Sequence, residues 1–113
     1  MITIYHNPRC RKSRECNVFL NTLGEKVTII NYIENPFNKA SLMALIDLLE
    51  ITPIELVRTN EAIWKNEYKG KNMSSDDIVN AMIAYPKLIQ RPIVVYNDKA
   101  VIARPIERVQ SIL

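Results

Sequence analysis

Residues 2–32 have the sequence ITIYHNPRCRKSRECNVFLNTLGEKVTIINY, which contains the signals of a strand, a helix and a second strand. Ile2–Tyr5 is a short run rich in β-branched and aromatic residues, and it predicts the first strand. Between residues 11 and 23 apolar side chains recur with the period of a helix, and Gly24 is expected to be its C-cap. Val27–Tyr32 predicts a second, buried strand that pairs in parallel with the first.

The middle of the chain carries only helical signals. The expected helix starts are Asn38, Thr52, Asn60 and Ser74 or Ser75. Thr52 and Glu55 have the spacing of a capping box, which predicts a short helix that ends near Arg58. Residues 65–72 have no clear period and predict a loop.

The last quarter of the chain predicts a hairpin and a helix. Ile93–Tyr96 and Ala100–Ala103 are apolar runs separated by a polar turn, so we expect two antiparallel strands. Pro105 begins the last helix, whose expected buried face consists of Ile106, Val109 and Leu113. The order of elements is βαβ, a helical block and ββα. The predicted fold class is therefore α/β: a thioredoxin-like mixed sheet of about four strands, with a helical insertion between the βαβ and ββα halves.

Composition and length limit the classes of protein. The chain has 113 residues, 48% of them hydrophobic and 24% charged, which predicts one globular domain over residues 1–113. No apolar run reaches the length of a membrane span, and the N-terminal residues lack the pattern of a signal peptide, so we expect a cytoplasmic protein without membrane contact. The net charge is +3, and the basic residues cluster around a cysteine rather than along a stripe, so nucleic-acid binding is not expected.

Cys10 is the strongest candidate for a reactive residue. It lies between the predicted first strand and helix, and four of the six residues from Arg9 to Arg14 are basic. Unpaired N–H groups of a first helical turn and nearby cations both favour the thiolate, which is the nucleophilic form. The alternative interpretation is a small buried hydrophobic residue.

Cys16 is predicted to be buried and inert, because it falls on the apolar stripe of the same helix. Six residues along a helix give a rise of roughly 9 Å, beyond the ~7 Å Cα separation that a disulfide tolerates. An adduct or oxidised form of Cys10 would then have to be resolved by an external thiol.

Two interpretations are open for each polar neighbour of Cys10. His6 either increases the thiolate fraction or only ends the first strand. Ser13 either hydrogen-bonds the thiolate or serves the helix N-terminus, and Arg14 either contributes to the site or is a solvated surface charge.

Three further arginines stand out by their context. Arg58 ends a short predicted helix, Arg91 precedes Pro92, and Arg104 precedes Pro105. A guanidinium is a rigid fork of donors that suits tetrahedral oxyanions. Convergence of the three near a thiolate would make an oxyanion site, whereas each by itself is more typical of a surface charge. No metal site is predicted.

The segments Tyr5–Cys10 and Ser13–Arg14 resemble the active-site loop of the glutaredoxin-coupled arsenate reductase family. The resemblance continues at Glu55–Arg58, Leu88–Val94 and Ala103–Pro105, so it covers essentially the whole chain. It implies a thioredoxin-like fold with a helical insertion.

The resemblance also implies a role for each site residue. Cys10 would attack arsenate, His6 would tune the thiol, and Ser13 and Arg14 would support the loop. Pro92 would match the cis-proline of thioredoxin-like folds. The oxyanion and the arsenylated intermediate would be held by Arg58, Arg91 and Arg104. Glutathione would be the co-substrate and glutaredoxin the partner of a monomeric enzyme with no bound cofactor.

Relatives of the same fold suggest two alternatives. Spx-type regulators bind a protein partner and carry a Cys-x-x-Cys switch, whose second position is Ser13 in this chain. Other relatives act on glutathione-linked thiols and lack the three arginines. This chain also has Arg11 and Lys12 where the family usually has small residues, and we expect these cations to affect the loop or its preferred anion.

Overall fold

A computed structural model describes all 113 residues. The chain forms two compact units. The first consists of Met1–Asn35 and Arg91–Leu113, and the second of Pro36–Gln90. That residues 1–113 behave as one domain stays a prediction.

The first unit is a four-stranded mixed sheet with helices. Its elements are β1 (Ile2–His6), α1 (Arg11–Asn21), β2 (Val27–Asn31), β3 (Ile93–Tyr96), β4 (Lys99–Ile102) and a 3₁₀-helix (Ile106–Ser111). The strand order is β2-β1-β3-β4, with β1 parallel to β2 and the other two pairs antiparallel. The predicted α/β class, the parallel pair and the C-terminal hairpin are confirmed.

The side chains of β1 alternate strictly between buried and partly exposed, and this places two core residues and one site residue on the same face. Ile2 and Ile4 are fully buried and pack with Cys16 and Leu20 of α1. Because alternate side chains of a strand point to the same face, His6 follows them on the buried face at the end of β1.

Two predictions for α1 and β2 are wrong. β2 is an edge strand rather than a buried one, and Ile29 is 50% exposed, because only β1 pairs with it. The C-cap of α1 is Thr22 rather than Gly24, and its hydroxyl donates to the carbonyl of Phe19 at 2.6 Å. Gly24 has φ +78° in the turn that leads to β2, a conformation that suits glycine.

Two predictions near the C-terminus also need correction. β4 begins and ends one residue earlier than expected, at Lys99 and Ile102. The last helix is a 3₁₀-helix, whose period of three residues buries Val109 and Ile112 and leaves Leu113 50% exposed.

The second unit is helical. Its elements are α2 (Lys39–Leu49), a 3₁₀-helix (Pro53–Leu56), α3 (Ala62–Glu67), α4 (Ser75–Ala84) and a 3₁₀-helix (Pro86–Leu88). Asn38 and Ser74 cap α2 and α4 as predicted, each by accepting a hydrogen bond from a backbone N–H. None of the helices of the chain is long and apolar enough to cross a bilayer.

Three expectations for this unit are wrong. The helix after Thr52 is a single 3₁₀ turn that ends at Leu56 rather than near Arg58, because Val57 pairs with Ile89 in an isolated bridge. The N-cap of α3 is Glu61 rather than Asn60. α3 extends to Glu67, inside the predicted loop, and the ring of Trp64 stacks on Tyr68 at 5.3 Å between centroids. A stacked pair at i and i+4 favours the helix where the periodicity is weak.

Candidate active site

Cys10 is the N-cap residue of α1, as its sequence position predicts. Its backbone is extended, its N–H donates to the carbonyl of Asn7 at 2.9 Å, and its carbonyl accepts from the N–H of Arg14 at 3.0 Å. The side chain is half-buried. This placement holds the sulfur beside the N–H groups that a first helical turn leaves without intrahelical partners.

Three donors act on the sulfur of Cys10. Burial raises the pKa of the thiol, but the backbone N–H groups of Ser13 and Lys12 and the guanidinium of Arg91, which face the sulfur, lower it. Together they outweigh burial, so the pKa of Cys10 lies below its ordinary value. The lowered pKa agrees with the prediction from the sequence. The cationic side chain that lowers it is Arg91 rather than one of the basic residues between Arg9 and Arg14.

The basic side chains of Arg11, Lys12 and Arg14 have partners other than the sulfur of Cys10. The Nε of Arg11 lies 3.2 Å from one carboxylate oxygen of Glu15, and the Nζ of Lys12 lies 3.9 Å from the other. Arg14 donates to the carbonyl of Pro8 at 2.9 Å and so holds the turn before Cys10. Arg14 is exposed and contacts the loop, so its role in the site stays a prediction.

Ser13 links the strand end to the helix. Its fully buried hydroxyl lies 2.6 Å from Nδ1 of His6 and accepts the N–H of Asn7 at 3.0 Å. Because these are the hydroxyl's two partners, we assign its proton to Nδ1 of His6. The hydroxyl therefore neither bonds the thiolate nor caps α1. It is the backbone N–H of Ser13 that faces the sulfur.

His6 is held neutral by this environment. Burial and the charge of Arg14 lower its pKa, and a hydrogen bond with Ser13 offsets only part of this effect. A neutral imidazole does not stabilise the thiolate by charge. His6 acts on the site through Ser13. The hydroxyl of Ser13 bonds His6, and the backbone N–H of Ser13 faces the sulfur of Cys10.

Of the three predicted oxyanion-binding arginines, Arg91 is the one whose guanidinium lowers the pKa of Cys10. Its Nε and one terminal nitrogen are buried and have no hydrogen-bond partner. Buried donors without partners cost free energy, which an incoming anion would recover. The Arg91–Pro92 peptide bond is cis, as the resemblance implies, and the Arg104–Pro105 bond is cis as well.

The other two arginines have different surroundings. Arg104 is exposed and borders a cavity of about 370 Å³ that Lys12 also lines. Arg58 lies in the second unit, where its guanidinium forms a part-buried ion pair with Glu61. The sequence analysis did not identify Glu61 as this partner, although its i,i+3 spacing from Arg58 is a signal for such a pair.

Cys16 has the environment that its position on the stripe predicts. It is fully buried in the core, and burial raises the pKa of its thiol to about 11. At neutral pH it is a thiol and therefore a poor nucleophile. No group of three or more His, Cys, Asp or Glu side chains is arranged to hold a metal ion.

Comparison with known proteins gives one consistent result. The profile of the ArsC family matches residues 5–112. The chain is 40% identical to the uncharacterized protein YfgD of Escherichia coli (strain K12), over 99% of this chain and 96% of that one. It is 30% identical to an arsenate reductase of Neisseria meningitidis, over 99% and 97% of the two chains. The solved structure of an arsenate reductase from Vibrio cholerae matches with a TM-score of 0.94 and 38% identity, over 99% of this chain and 97% of that one.

Proposed function

Because the chain belongs to the ArsC family, we propose that it is an arsenate reductase, which converts arsenate to arsenite through the thiolate of Cys10. The relatives named arsenate reductase match nearly the whole length of this chain at 30–38% identity. The reaction needs a nucleophilic sulfur and a binding site for a tetrahedral oxyanion, and both follow from the local structure of the first unit.

One observation carries this proposal: the proximity of the Arg91 guanidinium to Cys10. The guanidinium lowers the pKa of the thiol, and its Nε and one terminal nitrogen are buried without hydrogen-bond partners. A planar guanidinium presents parallel donors to two oxygens of an oxyanion. Arsenate bound to these nitrogens would have its arsenic next to the thiolate, in position for attack.

The chemistry then follows in balanced steps. The sulfur of Cys10 forms a bond to arsenic, and one oxygen of arsenate leaves as water. The thiolate of an external donor attacks the sulfur of Cys10, and the S–As bond breaks. Its electron pair stays on arsenic, which changes from As(V) to As(III) and leaves as arsenite. A second thiol opens the mixed disulfide and restores Cys10.

The donor must come from outside the chain, since Cys16 is buried with a pKa of about 11. We assign the attack on the arsenylated Cys10 to glutathione and the clearance of the mixed disulfide to glutaredoxin. The enzyme would act in the cytoplasm as a monomer and would need no bound cofactor.

The remaining site residues would support these steps. Ser13 and His6 fix the loop through their buried hydrogen bond, and Arg14 holds the turn at Pro8. Arg104 would bind the oxyanion and the arsenylated intermediate together with Arg91, and the same role for Arg58 stays a prediction from the sequence. The cis peptide bond of Pro92 belongs to the segment that carries Arg91.

The proposal is tested by measuring arsenite formation. Purified protein is incubated with arsenate, glutathione and glutaredoxin, and the consumption of NADPH is followed through glutathione reductase. We expect arsenite and oxidised NADPH in equal amounts, and neither product from the Cys10→Ser variant. Absence of arsenite from the folded wild-type protein would contradict the proposal and would favour a non-enzymatic regulator or a thiol reductase with another substrate.

A further inference from the structure

The sheet of the first unit has two open edges, and they are built differently. The outer strands are β2 and β4. β4 has four residues and begins with the exposed Lys99, and a short strand with a lysine is a common protection against edge-to-edge pairing. β2 has the sequence VTIIN, with five residues, no charge and no proline, and Ile29 at its centre is 50% exposed. β2 is therefore the unprotected edge.

The outward backbone groups of β2 follow from its pairing with β1. The N–H of Ile2 donates to the carbonyl of Lys26 at 3.2 Å. In a parallel pair every second residue of a strand bonds the same neighbour, so Thr28 and Ile30 continue this bonding to β1. The N–H and carbonyl groups of Ile29, between them, point away from the sheet, where no further strand pairs with β2. They are free to bond another strand.

The backbone of β2 is complementary to a second copy of itself. In an antiparallel pair centred on Ile29, this residue would exchange both backbone bonds with Ile29 of the second copy. Asn31 lies two residues further along the strand, so its N–H also points outward and would donate to the carbonyl of Val27. The ladder would be closed by residues of β2 alone.

The charges beside β2 are complementary in the same arrangement. Antiparallel pairing places the start of one strand beside the end of the other. Lys26 lies at the start and Glu34 lies in the turn after the end, and both are exposed. Neither forms an ion pair within its own chain. Opposite charges would therefore meet at both ends of the ladder.

Within the first unit, α1 leaves room for this pairing. Cys16 and Leu20 of the helix pack in one core cluster with Ile4 of β1. In a continuous sheet the two β1 strands would be three strand spacings apart, roughly 14 Å, and a helix with its side chains is about 10–12 Å wide. Ile29 pairs with Ile4 in register, so its exposed side chain lies on this face, between the two helices.

We propose that this protein forms a two-fold symmetric dimer, in which the β2 strands of two copies pair antiparallel and join the two sheets into one. A ladder of one short strand a side is a small interface, so the dimer is weak and reversible. Cys10 and Arg91 belong to the same chain, so the proposed reaction is complete in the monomer. Dimerisation is a separate property that does not rest on the proposed function.

Sedimentation equilibrium tests the dimer between about 10 µM and 1 mM protein, the range in which weak interfaces associate. We expect the average mass to rise from 13.1 kDa towards twice that value. Ile29→Lys should weaken association by at least about fivefold, because it places two like charges directly opposite each other. Ile54→Lys is the matched control: it makes the same charge change at an isoleucine that is 41% exposed and lies outside β2.

A charge exchange tests the antiparallel register. Lys26→Glu and Glu34→Lys should each weaken association, because like charges then meet at both ends of the ladder. The double variant should regain the association of wild type. A mass that stays at 13.1 kDa throughout, equal losses in Ile29→Lys and Ile54→Lys, or a double variant as weak as the single ones would overturn the proposal.

Hydrogen exchange identifies the strand that pairs. The amide of Ile29 should become protected as the protein concentration rises, whereas the amides of Thr28 and Ile30 should be protected in the monomer already. A dimer in which the amide of Ile29 exchanges as fast as in the monomer would use another surface and would overturn the proposal.

Discussion

Cys10 caps α1 and Cys16 lies within it, and the two cysteines have opposite surroundings. Cys10 is half-buried at the N-cap, where the N–H groups of Ser13 and Lys12 and the guanidinium of Arg91 lower the pKa of its thiol. Cys16 lies six residues later in the apolar core and is fully buried. The pKa of the first thiol is lowered, and that of the second is raised to about 11.

The difference shows what activates a cysteine in this fold. Both thiols are buried to some degree, and burial raises the pKa of each. Only Cys10 stands where the helix leaves N–H groups without partners, and only Cys10 receives a guanidinium from the entrance of β3. The nucleophile therefore differs from the core thiol in two ways: it lies at the N-terminus of the helix, and the guanidinium of Arg91 lies beside it.

The largest expected effect is that of Cys10→Ser. Arsenate reduction should fall by at least about 10³-fold, because a serine hydroxyl is a far weaker nucleophile at neutral pH. The assay is arsenite formation with glutathione and glutaredoxin, and circular dichroism checks that the fold is unchanged. Substantial turnover by the folded variant would mean that Cys10 is not the nucleophile.

The next effect distinguishes two arginines. Arg91→Lys should reduce kcat/KM for arsenate by about 10²-fold, and Arg104→Lys by about tenfold, because lysine keeps the charge but loses the planar fork. Arg91 has the larger effect since its guanidinium lowers the pKa of Cys10 and has buried unpartnered nitrogens, whereas Arg104 is exposed. Wild-type kinetics in both variants would show that the two arginines are surface charges.

Cys16→Ser should leave turnover within about twofold of wild type, because a thiol buried in the core has no part in the reaction. Stability should fall by about 1–3 kcal/mol, since a hydroxyl would be buried without a partner. Urea denaturation measures the loss, and Cys16→Ala controls for volume. If the folded Cys16→Ser protein lost activity as completely as Cys10→Ser, or if turnover produced a Cys10–Cys16 disulfide, the external-donor mechanism would be wrong.

The smallest effect concerns the loop that holds Cys10. The pKa of His6 is lowered in the folded protein, so between about pH 7 and pH 5 the unfolded chain binds more protons at this residue and stability falls as pH falls. His6→Asn keeps a polar group near Ser13 but does not titrate. Its free energy of unfolding should depend less steeply on pH than that of wild type, by less than about 1 kcal/mol over this range. Equal slopes for the two proteins would mean that His6 does not titrate differently on folding.

The sequence predicts the sheet of the first unit well, because β-branched runs and turn residues are local signals. Ile93–Tyr96 is a strand as expected, and its hairpin with β4 follows from the polar turn. Strand order is not a local property, and the edge position of β2 was therefore missed. The type of the last helix was missed as well, and its 3₁₀ period buries Ile112 instead of Leu113.

The candidate site is predictable in its residue types but not in its contacts. The lowered pKa of Cys10 was expected from its place between strand and helix, yet the cation that lowers it is Arg91, which is distant in the sequence. The buried bond between Ser13 and His6 depends on the exact approach of β1 and α1, which no spacing rule gives. The pairing of Arg58 with Glu61 could have been predicted from their i,i+3 spacing.

The contrast between the two cysteines is tested most directly by their alkylation in one protein. Wild type is treated with iodoacetamide from about pH 5 to pH 10, and mass spectrometry gives the rate at each residue. We predict that Cys10 reacts with a midpoint below the ordinary thiol value of about 8.5, and that Cys16 stays unmodified while the protein is folded. A midpoint at or above that value for Cys10, or comparable rates at the two residues, would contradict the account.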